Sequence, residues 1–229
     1  MDGKKRYSSF LIPLLFVIVL WAIKLFEIQN NLDFGKYGIY PKSLDGLKGI
    51  FFTPLIHGDI NHLLNNSIPL LVLGTTIFFF YREVALKLVF WSWLMTGIWV
   101  WSAAVPAYHI GASGVVYAMA SFIFFSGVFR KHYKLMSISL MVVFLYGSMV
   151  WGIFPIKQGI SWESHLYGSI AGLFLAYYYR KTGLQKPKYE WEDEDNDMEE
   201  GQQDENKVTI NYIYKVNNSL KDPGDKNEG

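Results

Sequence analysis

The chain has 229 residues, of which 51% are hydrophobic, 17% aromatic and only 18% charged. This composition excludes a disordered or collagen-like protein, and a net charge of +1 provides no basic surface for nucleic acid. Because the sequence contains no cysteine, a disulfide framework, a thiolate metal site and a cysteine nucleophile are also excluded.

Long apolar segments follow one another from residue 8 to residue 179. A bilayer core needs roughly 20 apolar residues of helix to cross it, and inside lipid every backbone group must be paired within the segment, which favours helices. The sequence therefore predicts an all-α, polytopic membrane protein built as a bundle of six transmembrane helices. The predicted spans are residues 8–28, 63–80, 86–104, 112–129, 134–153 and 161–179.

The first span follows a basic stretch, Lys4, Lys5 and Arg6, as a signal peptide would. It is too long for a signal peptide and no clear cleavage site follows, so we interpret it as an uncleaved signal anchor. The loops that share a side with the N-terminus carry twelve Lys and Arg residues, against four on the opposite side. Since loops rich in Lys and Arg stay on the cytoplasmic side of the membrane, both termini are expected in the cytoplasm. The compact six-span core favours a bacterial cytoplasmic membrane.

Acidic residues are concentrated near the C-terminus, where 13 of the 20 Asp and Glu residues fall between Glu190 and Glu228. A block of like charge repels itself and is typical of a disordered segment. The sequence therefore predicts two parts: a transmembrane domain over residues 1–182 and a hydrophilic, acidic, disordered cytoplasmic tail over residues 183–229.

Polar side chains at membrane depth are costly, so they are candidates for function. Three polar clusters lie near the outer ends of the second, fourth and sixth spans. The first contains His62 and Asn66, which are four residues apart and share one helix face, after His57 in the preceding loop. Each cluster alone has an ordinary explanation as a polar contact between helices or a helix cap. Three clusters at one depth favour a shared site.

The second cluster opens span four, where Ser113 is flanked by Gly111 and Gly114. Gly111 allows unusual backbone angles and a close approach by substrate. Gly114 begins a stripe of small residues suited to close helix packing. Tyr117 follows one turn after Ser113 on the same face.

The third cluster places His165, Gly168 and Gly172 on one face of span six. Gly168 and Gly172 have the small-xxx-small spacing that lets two helices approach closely. If this stripe packs against the stripe on span four, His165 lies beside Ser113.

Together these residues suit nucleophilic catalysis. Ser113 needs a base, and His165 is the plausible one on the facing stripe. We expect a Ser–His dyad because no intramembrane acid is available to orient the imidazole, with Asp59 and Glu163 at the rim of the site. His62, Asn66 and the backbone N–H of Ser113 can supply the donors of an oxyanion hole. No metal and no cofactor is expected.

The three motifs resemble those of the rhomboid family of intramembrane serine proteases. The matching residues are His57-x4-His62-x3-Asn66, Gly111-x-Ser113-Gly114-x2-Tyr117 and His165-x2-Gly168-x3-Gly172. The resemblance implies that Ser113 is the nucleophile, His165 the base, and His62 and Asn66 part of the oxyanion hole. This sequence departs from the family pattern at residues 47–50, where many bacterial members have a Trp-Arg pair that anchors the first loop.

The resemblance also implies the reaction, which is hydrolysis of a peptide bond in or next to a transmembrane segment of a substrate protein. Spans two and five are where such enzymes are thought to admit that segment, and the site is expected to open to the outer side. The partners implied are transmembrane substrates and the bilayer itself. The loop of residues 154–160, next to His165, is a candidate cap over the site.

Other functions fit the sequence less well. A rhomboid-like protein that binds transmembrane helices without cutting them usually lacks the Ser or the His, and both are present. A haem protein would use pairs of histidines as ligands, but haem binding does not explain the glycines around Ser113. A metalloprotease needs a His-Glu-x-x-His helix, which is absent from the sequence. A transporter would place its polar groups near the midplane of the membrane, whereas the three clusters lie near the outer ends of the spans.

Overall fold

The computed structural model describes residues 3–156 and 161–186, with side chains described from residue 8 onward. Within these ranges the chain is helical and contains no strand, as the all-α class predicts. Its α-helices are α1 (Gly3–Gln29), α2 (Gly49–Phe52), α3 (Ile60–Phe80), α4 (Ala85–Ala103), α5 (Ser113–Arg130), α6 (Tyr133–Tyr146) and α7 (Trp162–Tyr178). Short 3₁₀ segments lie at Gly35–Tyr37, Asp45–Lys48, Thr53–Leu55 and Gly147–Ile153.

Several of these helices are suited to a membrane, so the protein is a polytopic helical membrane protein. By length and composition, the segments that can cross a bilayer are Ser8–Gln29, Ile60–Phe80, Ser113–Arg130 and Tyr133–Ile153. Helices α4 and α7 coincide with the predicted third and sixth spans but are not among these four. The count of six crossings, and the orientation of the termini, stay predictions.

Some predicted features fall on residues outside the described ranges. The acidic tail predicted over residues 183–229 lies outside them from residue 187 onward. Of the predicted cap over residues 154–160, only residues 154–156 are described.

Helix α3 begins at a side-chain cap and packs against α1. The Asp59 carboxylate accepts the backbone N–H of His62 at 2.8 Å, which satisfies a donor left free in the first turn. Gly74 of α3 lies against Pro13 of α1, where a Cβ at position 74 would come within 3.0 Å of the ring. These contacts fix the start of α3 and its distance from α1.

Helix α5 is the centre of the bundle and packs most closely against α7. A Cβ at Gly168 would collide with the carbonyl oxygen of Gly114, and one at Gly172 would collide with that of Ala118. The Ser121 hydroxyl donates to the Ser169 carbonyl oxygen at 2.6 Å across the same contact. The two small-residue stripes therefore meet, as their spacing predicts, and bring the starts of α5 and α7 together.

The loop between α1 and α3 is folded onto α4 and onto the segment that precedes α5. The backbones of Ile39 and His109 exchange two hydrogen bonds, with N–O distances of 3.0 and 2.8 Å. The indole N–H of Trp93 donates to the Ile50 carbonyl oxygen, and that of Trp101 to the Ser43 carbonyl oxygen, both at 2.8 Å. Tryptophans of α4 thus anchor a loop that lacks the Trp-Arg pair.

Candidate active site

Ser113 and His165 are in hydrogen-bond contact. The Ser113 Oγ lies 2.8 Å from Nε2 of His165. Ser113 is the first residue of α5 and half-buried, whereas His165 lies one turn into α7 and is 8% exposed. The pair meets because the glycine stripes let α5 and α7 approach closely. The start of α5 also places the partial positive charge of a helix N-terminus next to the Ser113 hydroxyl.

The other ring nitrogen of His165 is held by a backbone carbonyl. Nδ1 of His165 lies 2.9 Å from the carbonyl oxygen of Gly152, in the 3₁₀ segment before α7. A carbonyl oxygen only accepts, so Nδ1 carries the proton and Nε2 is left to accept the proton of the Ser113 hydroxyl. This is the tautomer that a general base for a serine nucleophile requires.

Tyr117 holds the face of the same imidazole. Its ring is stacked on that of His165, with centroids 4.1 Å apart and planes inclined by 6°. Its hydroxyl donates to the carbonyl oxygen of Met149 at 2.8 Å. Tyr117 therefore joins the His165 ring to the 3₁₀ segment that also provides the Gly152 carbonyl.

His62 and Asn66 lie on one face of α3 and line the same cavity as Ser113. The Asn66 amide donates to the His62 carbonyl oxygen at 3.2 Å, and Asn66 is 4% exposed. Gly111 has φ +106°, and a Cβ there would lie 2.6 Å from Nε2 of His62. Glycine is needed at position 111 both for its backbone angle and to let the chain before Ser113 pass close to the His62 ring.

His57 is buried behind His62, in the loop before α3. It is 2% exposed, and its Nε2 accepts the N–H of Ala112 at 3.4 Å. Its ring meets the His62 ring edge-on, with centroids 5.1 Å apart. Burial, together with repulsion from His62, lowers the pKa of His57 to about 3, so this imidazole is neutral at physiological pH. Its position supports both His62 and the backbone that enters α5.

A cavity of about 570 Å³ is shared by Ser113, His165, Tyr117, His62 and Asn66. Its polar lining residues are Asp59, Asn61, His62, Asn65, Asn66, Tyr108, Ser113, Tyr117, Tyr146, Ser161 and His165. Asp59 and Asn61 are exposed, so the cavity reaches the surface of the protein. A second cavity of about 260 Å³ is lined by His165 together with Phe154 and Ile156. The described part of the predicted cap therefore borders the site.

The structure differs from the sequence-based expectation at one of two acidic positions. Asp59 is exposed, as expected for a residue at the rim. Glu163, placed at the rim by the sequence, is instead 4% exposed, and its Oε1 accepts the N–H of Val105 at 3.3 Å. The carboxylate is buried because it satisfies the backbone just after α4.

A backbone carbonyl and a pair of charged side chains near the site were missed by sequence reasoning. The Gly152 carbonyl could not be foreseen, because every residue has a carbonyl and its direction depends on the fold. Lys24 and Glu27 carried a readable signal, since two opposite charges three residues apart in an apolar helix are uncommon. Both are buried near the loop that precedes α3.

Comparisons with known proteins identify the family of this chain. The family model described as Rhomboid domain matches residues 45–182, which include every site residue from His57 to Gly172. An uncharacterized protein of Mycobacterium tuberculosis is 35% identical over 178 residues, covering 72% of this chain and 72% of the relative. One of Mycobacterium leprae is 33% identical over 178 residues, covering 72% of this chain and 68% of the relative.

Proposed function

The chain belongs to the rhomboid family, and from this premise we propose that it is an intramembrane serine endopeptidase. Its substrates are membrane proteins, and it hydrolyses peptide bonds in or next to their transmembrane segments. The observation that supports this function most strongly is the 2.8 Å hydrogen bond between Ser113 Oγ and His165 Nε2. A serine hydroxyl that is hydrogen-bonded to a neutral imidazole has the geometry of a nucleophile with its base.

In the first half of the proposed reaction, Ser113 Oγ attacks the carbonyl carbon of the scissile bond. The hydroxyl proton passes to His165 Nε2 as the C–O bond forms. When the C–N bond breaks, the same imidazole returns the proton to the leaving amine. The Gly152 carbonyl holds Nδ1–H throughout, so the ring keeps the orientation that both transfers need.

The negative charge of the tetrahedral intermediate falls on the former carbonyl oxygen. We assign its stabilisation to His62, Asn66 and the backbone N–H of Ser113. The first two line the cavity next to Ser113, and the third lies at the N-terminus of α5, where the helix dipole favours negative charge. Removing one such donor in other serine hydrolases costs about 10²–10³ in kcat.

The second half of the reaction needs water beside the acyl-enzyme. The cavity is lined by amides and hydroxyls and reaches the surface, which supports entry of water without exposing backbone to lipid. His165 then takes a proton from that water as the water oxygen attacks the acyl carbon, and it returns the proton to Ser113 Oγ when the ester C–O bond breaks, so that the acyl group leaves as a carboxylic acid and ionises. Opening of this cavity to the outer side follows from the proposed orientation with both termini in the cytoplasm.

The mycobacterial relatives and the compact core support a bacterial cytoplasmic membrane as the location. The alternative function is that of a rhomboid-like protein that binds transmembrane helices without cleaving them. The presence of both Ser113 and His165, in hydrogen-bond contact, favours the protease.

Cleavage of a model substrate tests the proposed function. The purified full chain is placed in liposomes with a single-span protein whose transmembrane helix contains Gly residues, which weaken it and help to expose its carbonyls. We expect two products whose new termini map within or beside the span, and none with Ser113→Ala. Binding of the substrate without cleavage by the wild type would favour the non-proteolytic binder. Cleavage that persists in Ser113→Ala would refute the proposed nucleophile.

A further inference from the structure

A buried ion pair lies near the C-terminal end of α1, outside the site described above. Lys24 and Glu27 are 8% and 5% exposed, and Nζ of Lys24 lies 2.8 Å from Oε2 of Glu27. Both belong to the apolar segment Ser8–Gln29. Charges in such a segment are costly to bury and tend to mark function. The pair therefore calls for an explanation beyond helix packing.

The hydrogen bonds of the pair reach both ends of the loop between α1 and α3. Oε1 of Glu27 accepts the backbone N–H of Phe34 at 2.8 Å, near the beginning of the loop. Nζ of Lys24 donates to the carbonyl oxygens of His57 and Gly58 at 3.0 and 2.9 Å, at the end of the loop. An ammonium group has three donors, and Glu27 with these two carbonyls uses all three.

The end of the loop held by Lys24 leads directly into the site. The next residue after Gly58 is Asp59, whose carboxylate caps α3 by accepting the N–H of His62. The His57 ring meets the His62 ring edge-on and accepts the N–H of Ala112, next to Ser113. A shift of the His57–Gly58 backbone would therefore move the first turn of α3 relative to the start of α5.

We propose that Lys24 and Glu27 form a positioning pair for the oxyanion hole. The pair holds the His57–Gly58 backbone and thereby keeps His62 at its distance from Ser113. Neither side chain is among the residues that line the site cavity, so the pair acts through the backbone and not on the substrate. This inference rests on the proposed function, because the positioning matters for an oxyanion formed at Ser113.

The test compares Lys24→Met with Lys24→Arg, whose guanidinium retains the charge and donors for both carbonyls. A double variant, Lys24→Met with Glu27→Gln, removes both charges and avoids leaving one buried ion unpaired. The matched control is Ser9→Ala, which removes a different buried hydrogen bond of α1, from Ser9 Oγ to the Phe78 carbonyl oxygen of α3 at 3.0 Å. Measurements are kcat and KM for the model substrate, the rate of Ser113 labelling by a fluorophosphonate, and the melting temperature.

We expect Lys24→Met and the double variant to lower kcat and the labelling rate together, by between about tenfold and 100-fold, the cost of a displaced catalytic group. KM should stay nearly constant, Lys24→Arg should recover most of the rate, and Ser9→Ala should lower only the melting temperature. Unchanged kcat and labelling in the double variant would overturn the positioning role. A wild-type protein that neither cleaves nor becomes labelled would instead refute the proposed function itself.

Discussion

The carbonyl oxygen of Gly152 lies 2.9 Å from Nδ1 of His165, in the place that an Asp carboxylate takes in a serine triad. In a triad the acid holds the imidazole in the right tautomer and stabilises its protonated form. A carbonyl oxygen fixes the tautomer, because its lone pairs accept the Nδ1–H. It stabilises the protonated ring only through its dipole. Fixing the 3₁₀ segment Gly147–Ile153 is therefore part of building the site.

Gly152→Ala should reduce activity by at least about tenfold, as expected when a catalytic group is displaced. A Cβ at position 152 would collide with the Tyr117 hydroxyl and lie 3.1 Å from Nδ1 of His165. The control is Gly147→Ala in the same segment, where the nearest atom to the added Cβ is a Val143 methyl at 3.8 Å. Steady-state cleavage kinetics of both variants check this, and equal rates would show that the segment does not position the ring.

Asn66→Ala and His62→Ala should each lower kcat by about 10²–10³ with little change in KM, because an oxyanion donor acts mainly in the transition state. Asn30→Ala is the matched control for the asparagine. Both amides donate to the carbonyl four residues earlier in a helix, Asn66 to His62 and Asn30 to Phe26. If kcat is unchanged in both His62→Ala and Asn66→Ala, the oxyanion hole is elsewhere.

Gly111→Ala should abolish most activity, because the added methyl would press on the His62 ring at a backbone angle that disfavours side chains. Strain of this kind costs on the order of 1–3 kcal/mol. Gly183→Ala provides the control, since Gly183 also has a positive φ, +84°, and its added Cβ would meet only Arg130 at 3.4 Å. Measuring melting temperature and cleavage separates the two effects. Equal loss of activity in both variants would indicate that backbone strain alone is responsible.

His57 should make the protein less stable in acid. Its pKa is lowered to about 3 in the folded protein, against about 6.5 when unfolded. Between these values the unfolded chain binds a proton that the native state does not. The stability due to neutral His57 is therefore complete above pH 6.5 and is lost as the pH falls toward 3.

The measurement for His57 is the melting temperature of wild type and His57→Gln at about pH 7.5 and about pH 4.5, on either side of the unfolded-state pKa. Comparing the variants removes the contribution of other titrating groups. The advantage of the wild type should shrink at the lower pH. A constant difference between the two proteins would contradict the burial of a neutral imidazole.

The sequence foretold the helical membrane class and the approach of α5 to α7, because both depend on local patterns. Apolar length marks the spans, and Gly168 and Gly172 at small-xxx-small spacing mark the packing face. The buried state of Glu163 could not be foretold, since its partner, the Val105 backbone, is 58 residues away in the chain. The role of the Gly152 carbonyl could not be predicted either, because the direction of that carbonyl depends on how the chain turns before α7.

Reaction of the purified wild-type protein with a fluorophosphonate tests the Ser113–His165 dyad most directly. Mass spectrometry of the digested protein should place the adduct on Ser113, and folded His165→Ala should form little or none, because the hydroxyl would lack its base. An unmodified Ser113 in the wild type, or equal labelling of His165→Ala, would contradict a serine activated by this imidazole.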